Sequence, residues 1–228
     1  MGKKCQIVFI DNSDQVVSAQ RDYFSMVLNN VKSKFDNQLS NLVITNNNGQ
    51  LQISIDGYDL TMLYENVILN ATIDTKEINK KVKAVLDNAN EDVDTLFVVD
   101  LCLEEYSNED KKTGIRFASA LKSKITKTNK DQTMRVAACS GVPQYDRVFK
   151  EKGFEVFHRS LVPGDKFSNL ETVFEESRYK LKLSELNPVP KDKEQLFFLL
   201  KTLIENPYQN TQYLGDILMT AYLLCTGE

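Results

Sequence analysis

The sequence predicts an α/β fold built on a doubly wound, mostly parallel sheet, with a β-hairpin insertion and a C-terminal helical extension. Short apolar runs of strand length alternate with amphipathic stretches of helix length, which is the pattern of parallel strands joined by helical crossovers. Residues 184–228 break this alternation, because they contain strongly apolar helical stretches and no strand pattern. The 228 residues are enough for one large domain, or for one domain with an extension.

The chain opens with a predicted strand and a long predicted helix. Residues 5–10 form an apolar run of strand length. Residues 13–38 place apolar side chains three and four positions apart, which indicates an amphipathic helix. Asn12 or Ser13 is available as its N-cap.

A hairpin is predicted next. The β-type runs 42–44 and 51–55 flank Asn48-Gly49, a dipeptide that favours a tight hairpin turn. A further strand-like segment follows Asp56-Gly57, and residues 75–90 then predict a short helix. The sequence leaves open whether residues 40–75 extend the sheet or form a separate flap.

The second half of the chain continues the alternation of strands and helices. Residues 96–99 form a continuous apolar run, which is typical of a strand buried on both faces. The elements predicted after it are a helix at 114–125, a strand at 135–139, a helix at 145–152, a strand at 154–157 and a helix at 170–181.

Two domains follow from this pattern. Residues 1–183 form the α/β domain, with its insertion at about 40–75, and residues 184–228 form a C-terminal helical hairpin. The helices of the hairpin, 192–205 and 211–225, are strongly apolar on one side. Each must bury that side against the sheet domain or against another subunit, so we expect a homodimer or a protein partner at these helices.

Composition and charge exclude several classes of protein. Lys and Arg total 28 against 32 Asp and Glu, a net charge of −4, and no basic stripe suited to nucleic-acid phosphates occurs. No run of about eighteen apolar residues could span a bilayer. The N-terminal apolar stretch is too short for a secretory signal. We therefore expect a cytoplasmic protein that binds neither nucleic acid nor membrane.

Cysteine and histidine are too sparse for a soft-metal site. The cysteines stand at 5, 102, 139 and 225, so no Cys-x-x-Cys motif exists, and the one histidine, His158, excludes a two-histidine zinc motif. We expect the cysteines to be reduced and mostly buried.

The polar residues that end the predicted strands form a candidate site. In open parallel sheets, ligands bind at the carboxyl ends of the strands. Those ends carry Asp11, Asp100, Ser140 and Arg159. Two carboxylates, a hydroxyl and a cation at one edge would suit Mg²⁺ and a phosphoryl group, because hard oxygen ligands bind the metal and a cation offsets negative charge.

This order of residues resembles the receiver domain of bacterial response regulators, a flavodoxin-like fold. The resemblance covers residues 94–175 and the first strand. Its best matching segments are Val98-Val99-Asp100-Leu101-Cys102-Leu103, then Thr113-Gly114-Ile115-Arg116, then Val136-Ala137-Ala138-Cys139-Ser140-Gly141, and Phe157-His158-Arg159-Ser160. The family has acids after its first strand, a phosphoacceptor Asp after its third, Thr or Ser after its fourth and Lys after its fifth.

The resemblance implies a signalling protein of two-component type and a role for each matching residue. Asp100 would accept a phosphoryl group, Ser140 would hydrogen-bond that group, and Arg159 would stand in the place of the family's Lys. Mg²⁺ would be held by Asp11, Asp100 and the backbone carbonyl of Cys102. The domain would then be at most self-phosphorylating from a phosphodonor rather than an enzyme, with a histidine kinase or phosphotransfer protein as its partner and the C-terminal helices as its output.

Three alternatives remain from the residues themselves. Asn12 in place of a second acid, and Arg159 in place of Lys, favour a pseudo-receiver that binds a protein without phosphorylation. A Mg²⁺-dependent hydrolase would instead use Asp11, Asp100 and the acidic segment 104–110. In the simplest alternative, Asp11 caps the next helix, Asp100 orders a turn and segment 104–110 is a solvated surface.

Overall fold

The structure is a computed structural model, and it describes part of the chain. The described residues are 3–12, 25, 29, 32–33, 41–47, 50–70, 74–90, 92–104, 113–140, 146–158, 200–201 and 204–205. The strands are β1 (Lys4–Asp11), β2 (Leu42–Asn47), β3 (Gln50–Ile55), β4 (Tyr58–Asn66), β5 (Asp94–Asp100), β6 (Met134–Ser140) and β7 (Glu155–His158). The helices with defined bounds are α1 (Thr75–Asn88), α2 (Thr113–Lys127) and α3 (Asp146–Glu151).

The seven strands form one sheet in the order β2-β3-β4-β1-β5-β6-β7. Strands β4, β1, β5, β6 and β7 run parallel to one another, while β3 is antiparallel to both β2 and β4. The prediction of an α/β fold with a mostly parallel sheet is therefore confirmed.

Segment 42–66 extends this sheet and does not form a flap. Strand β4 pairs with β1 along its length, from Lys4 opposite Asp59 to Asp11 opposite Asn66. Strands β3 and β4 are joined by the two-residue turn Asp56-Gly57, in which φ is 50° and 84° respectively. Two successive residues with positive φ are what a tight hairpin turn requires, and Asp-Gly is among the dipeptides that accept it.

Helices α1 and α2 cover one face of the parallel part of the sheet. Their buried residues pack with Val8 and Ile10 of β1 and with Phe97 and Val99 of β5 in one apolar core. The alternate residues of β1 are buried as well, among them Ile7 at 0% exposure. Because both faces of β1 are buried, its central residues 7–10 form a continuous apolar run, as the sequence pattern indicates.

The described C-terminal residues contact the turn between β3 and β4. Leu200 and Ile204 are helical and buried, at 1% and 0% exposure. The Lys201 ammonium lies 2.5 Å from the Asp56 carboxylate, and the Tyr58 hydroxyl donates to Oε1 of Glu205 at 3.0 Å. These contacts join segment 200–205 to the sheet.

Several predicted features lie outside the described residues. They are most of the helix at 13–38, the helix at 170–181, the boundary at 183–184 and the helix at 211–225, and the division into two domains stays a prediction. Among the helices that the structure describes, none is long and apolar enough to cross a membrane.

Candidate functional site

Two of the predicted acids lie side by side at the carboxyl ends of central strands. Asp11 ends β1 and Asp100 ends β5, and the register that sets Ile10 opposite Val99 makes them neighbours. Both residues are buried, at 4% and 7% exposure. Carboxylates are expensive to bury unless they are paired or hydrogen-bonded, and both of these residues have interactions with other groups.

One oxygen of Asp100 orders the turn that follows it. Its Oδ2 atom accepts a hydrogen bond from the backbone N–H of Cys102 at 3.0 Å. A carboxylate that binds a backbone N–H two residues ahead is a common way to end a strand. This is the turn-forming role that the sequence allowed for Asp100.

Residues 101–104, which we call the acidic-end loop, run inward rather than along the surface. Leu101 and Leu103 are buried, at 8% and 0% exposure. The N–H of Leu103 donates to the Thr113 hydroxyl at 3.0 Å, and the Leu103 carbonyl accepts from the N–H of Leu69 at 2.5 Å. The loop is therefore held between the segment after β4 and the start of α2.

Gly114 allows α2 to approach this loop closely. A Cβ atom on Gly114 would lie 1.8 Å from the carbonyl oxygen of Asp100 and 2.6 Å from that of Leu101. Because the helix lies so close to the loop, the N–H of Gly114 donates a hydrogen bond to the Leu101 carbonyl at 2.9 Å. No residue with a side chain fits here, because real Cβ atoms do not come so near to backbone oxygens.

Glu104 is a buried acid of this site. The alternative in which segment 104–110 is a solvated surface is wrong at its first position, since Glu104 is only 4% exposed. The backbone carbonyl of Glu104 accepts a hydrogen bond from the Asn12 side chain. Its Oε1 atom is buried and has no hydrogen-bond partner in the described part of the chain.

The acids share one electrostatic environment around the Cys102 thiol. Burial is the main cause that raises the pKa of this thiol, and the backbone N–H of Glu104 lowers it. The negative charges of Asp100, Glu104 and Asp11 raise it further. All three carboxylates therefore lie within electrostatic reach of a single side chain.

The other predicted site residues are only partly described. Ser140 ends β6, opposite His158 of β7, so its backbone lies at the same sheet edge as Asp100, but its side chain lies outside the described part. Arg159 also lies outside it. Cys102 is a half-buried free thiol in the acidic-end loop.

The sequence contains a signal for the burial of the acidic-end loop, although not for the burial of Glu104 or for the contact with Thr113. Leu101 and Leu103 follow Asp100 in alternation, which indicates that the chain stays buried after the strand ends. Within the described ranges, no group of three or more His, Cys, Asp or Glu side chains is arranged to hold a metal ion directly. A cation at this end of the sheet would therefore be held partly through water molecules.

Comparisons with known proteins do not support a receiver domain. No family model matches the chain, and no curated protein matches it. A solved structure that the chain resembles is the FeoB G-domain from Methanococcus jannaschii, with 13% identity and a TM-score of 0.32, over 68% of this chain and 85% of that one. The interpretation as a response-regulator receiver, and with it two-component signalling, is wrong.

The site gives a physical reason for this correction. Asp100 is almost fully buried and one of its oxygens binds the Cys102 N–H, so it is not an exposed carboxylate nucleophile. What the described geometry does show is a buried acidic site at the carboxyl ends of β1 and β5.

Proposed function

We propose that this protein is a divalent-cation-binding domain that holds hydrated Mg²⁺ between Asp11, Asp100 and Glu104. The observation that supports the proposal most strongly is the buried Oε1 atom of Glu104, which has no hydrogen-bond partner among the described residues. A buried polar atom left unpaired costs about 1–3 kcal/mol, and more when it is charged.

The position of Glu104 makes a cation the best partner for that oxygen. The carboxylates of Asp11, Asp100 and Glu104 all act on the Cys102 thiol, so the three groups lie in one region of the fold, and all three residues are buried. A divalent cation would supply the missing contact to Glu104 together with a positive charge. A neutral hydrogen-bond donor would supply the contact and leave the charge of Glu104 without a counter-charge.

The donor set favours Mg²⁺ over softer or larger cations. Mg²⁺ is commonly bound by one or two carboxylates and keeps several water molecules. Ca²⁺ takes six to eight oxygens, and Zn²⁺ prefers nitrogen and sulfur ligands in a closed tetrahedron. Because no group of three His, Cys, Asp or Glu side chains in the described residues is arranged to hold a metal directly, the cation that keeps most of its water molecules, Mg²⁺, fits this site best.

Calorimetric titration of Mg²⁺ into the metal-free full chain tests the proposal. We expect one site in the wild type and binding at least about tenfold weaker in Glu104→Gln, because a contact to a charged group is worth about 1.5–3 kcal/mol. Mn²⁺ should compete at this site.

Glu155→Gln is the matched control, since Glu155 is an exposed acid on β7. It should bind Mg²⁺ as the wild type does. The proposal is contradicted if the wild type binds no Mg²⁺, or if Glu104→Gln binds it as tightly as the wild type.

A further inference from the structure

A cleft lies at the opposite end of the sheet from the acids. It has a volume of about 540 Å³ and opens over the amino-terminal halves of β1 and β4 and the adjacent part of β3. Asn88 and Asn90, at the end of α1, form one side of it. Ligand-binding clefts commonly have volumes of about 300–1,000 Å³, so this one is large enough for a small molecule.

The floor of the cleft consists of polar rows that cross three strands. In one row, Gln52 of β3, Thr61 of β4 and Gln6 of β1 are direct neighbours in register. In the next row the neighbours are Ser54, Asp59 and Lys4. Side chains in register across adjacent strands project from the same face of a sheet, so these residues present one continuous polar surface.

Gln6 is held in a fixed orientation within this floor. It is only 4% exposed, and its Oε1 atom accepts from the N–H of Asn90 at 3.1 Å and from the Thr95 hydroxyl at 3.4 Å. None of the hydrogen bonds of the described residues uses its Nε2 amino group. A carboxamide whose oxygen is anchored and whose amino group is unused is a pre-oriented donor for a ligand.

Charge and shape then limit the class of ligand. The charged groups of the lining, Lys4 and Asp59, lie 3.5 Å apart and neutralise each other. Apart from the buried Cys5, the rest of the lining is amide, hydroxyl and aliphatic, with Leu63 and Val93 among its apolar contacts. The lining therefore offers no unpaired cation to an anionic ligand. It offers both hydrogen-bond donors and acceptors to a ligand with several hydroxyl groups.

We infer that this cleft binds a neutral polyhydroxylated small molecule of the carbohydrate class. Its hydroxyl groups would exchange hydrogen bonds with the amides of Gln6 and Gln52 and with the hydroxyl of Thr61, and its C–H face would lie on Leu63. This site is separate from the cation site, so each inference stands without the other.

Saturation-transfer NMR on the full chain tests the inference, with maltose and myo-inositol as neutral probes and glucose 6-phosphate as an anionic one. We expect millimolar binding of at least one neutral probe, and binding about tenfold weaker in Gln52→Ala. Gln132→Ala is the matched control, because Gln132 is an exposed glutamine in a turn remote in sequence from the cleft strands.

Each outcome decides the inference. Binding of a neutral probe that Gln52→Ala weakens and Gln132→Ala leaves intact supports it. It is overturned if neither neutral probe binds the wild type at millimolar concentration, if Gln52→Ala binds as well as the wild type, or if only glucose 6-phosphate binds.

Discussion

At the scale of single residues, hydrogen bonds to buried polar atoms determine the conformation of the acidic site. Thr113 is 1% exposed, and its hydroxyl accepts the N–H of Leu103, which fixes the loop that carries Glu104. The sequence predicts that Asp11 and Asp100 lie at strand ends, because each acid directly follows an apolar run of strand length. It does not show that Glu104 is buried, since that depends on α2 closing over the loop.

Replacing Thr113 with valine should destabilise the fold and loosen the acidic-end loop. Valine has nearly the same shape but offers no acceptor, so the buried N–H of Leu103 loses its partner at a cost of about 1–3 kcal/mol. Urea unfolding measures the change. Thr126→Val on the exposed side of α2 is the control, and equal effects of the two variants would contradict the role given to Thr113.

A second residue-scale prediction concerns Asp56 and pH. Hydrogen bonds from Lys201 and Asn41 hold the pKa of Asp56 below its ordinary value of 3.8. A carboxyl group with a lowered pKa stabilises the fold above that value, and the contribution is lost as pH falls through the lower, folded-state pKa. Asp56 is 40% exposed in its side chain, so we expect an effect of only about 0.2–1 kcal/mol.

The variant Asp56→Asn keeps the turn, because asparagine also accepts a positive φ. Acid titration of unfolding should show a smaller loss of stability below pH 3.8 in this variant than in the wild type. Asp87→Asn, at an exposed position on α1, should behave as the wild type does. An unchanged acid profile in Asp56→Asn would contradict the coupling to Lys201.

At the scale of elements, turn chemistry and close packing decide the architecture. Asn48-Gly49 lies between two strands and predicts the hairpin of β2 and β3 correctly. Asp56-Gly57 is an equally strong signal for the pairing of β3 with β4. The position of β4 beside β1 could not be predicted, because no local sequence pattern specifies which strands pair when they are distant in the chain.

Replacing Gly114 with alanine tests the contact between α2 and the acidic-end loop. The added Cβ would overlap the carbonyl oxygens of Asp100 and Leu101, so the helix must move, at a cost of about 1–3 kcal/mol or more. Calorimetric unfolding measures the loss. Ser119→Ala, at an exposed position of the same helix, should have almost no effect. A Gly114→Ala protein as stable as the wild type would show that the close approach is not required.

At the scale of the whole molecule, the sheet separates two polar regions. The acidic site lies at the carboxyl ends of β1 and β5, and the neutral cleft lies over the amino-terminal halves of β1 and β4. The sequence predicts the first region because polar residues end apolar runs. It does not predict the second, because Gln6, Gln52 and Thr61 become neighbours only through the register of three strands.

The C-terminal segment should unfold together with the sheet. Ile204 is fully buried, and its neighbours Lys201 and Glu205 contact the β3–β4 turn. Ile204→Ala should lower the free energy of unfolding by about 2–5 kcal/mol, in a single transition. Ile68→Ala is the control, because Ile68 is 38% exposed. A small effect of Ile204→Ala, or a separate low-temperature transition, would mean that the segment is not part of the cooperative unit.

Thermal unfolding with and without Mg²⁺, in the wild type and in Glu104→Gln, tests the cation site most directly. In EDTA, Glu104→Gln should be at least as stable as the wild type, because it removes a negative charge from a buried position where one carboxylate oxygen has no partner among the described residues. Mg²⁺ at about one hundred times its Kd should raise the wild-type Tm by roughly 5–10 °C and leave that of Glu104→Gln nearly unchanged. A wild-type Tm that does not respond to Mg²⁺, or an equal rise in both proteins, would contradict a cation site at Glu104.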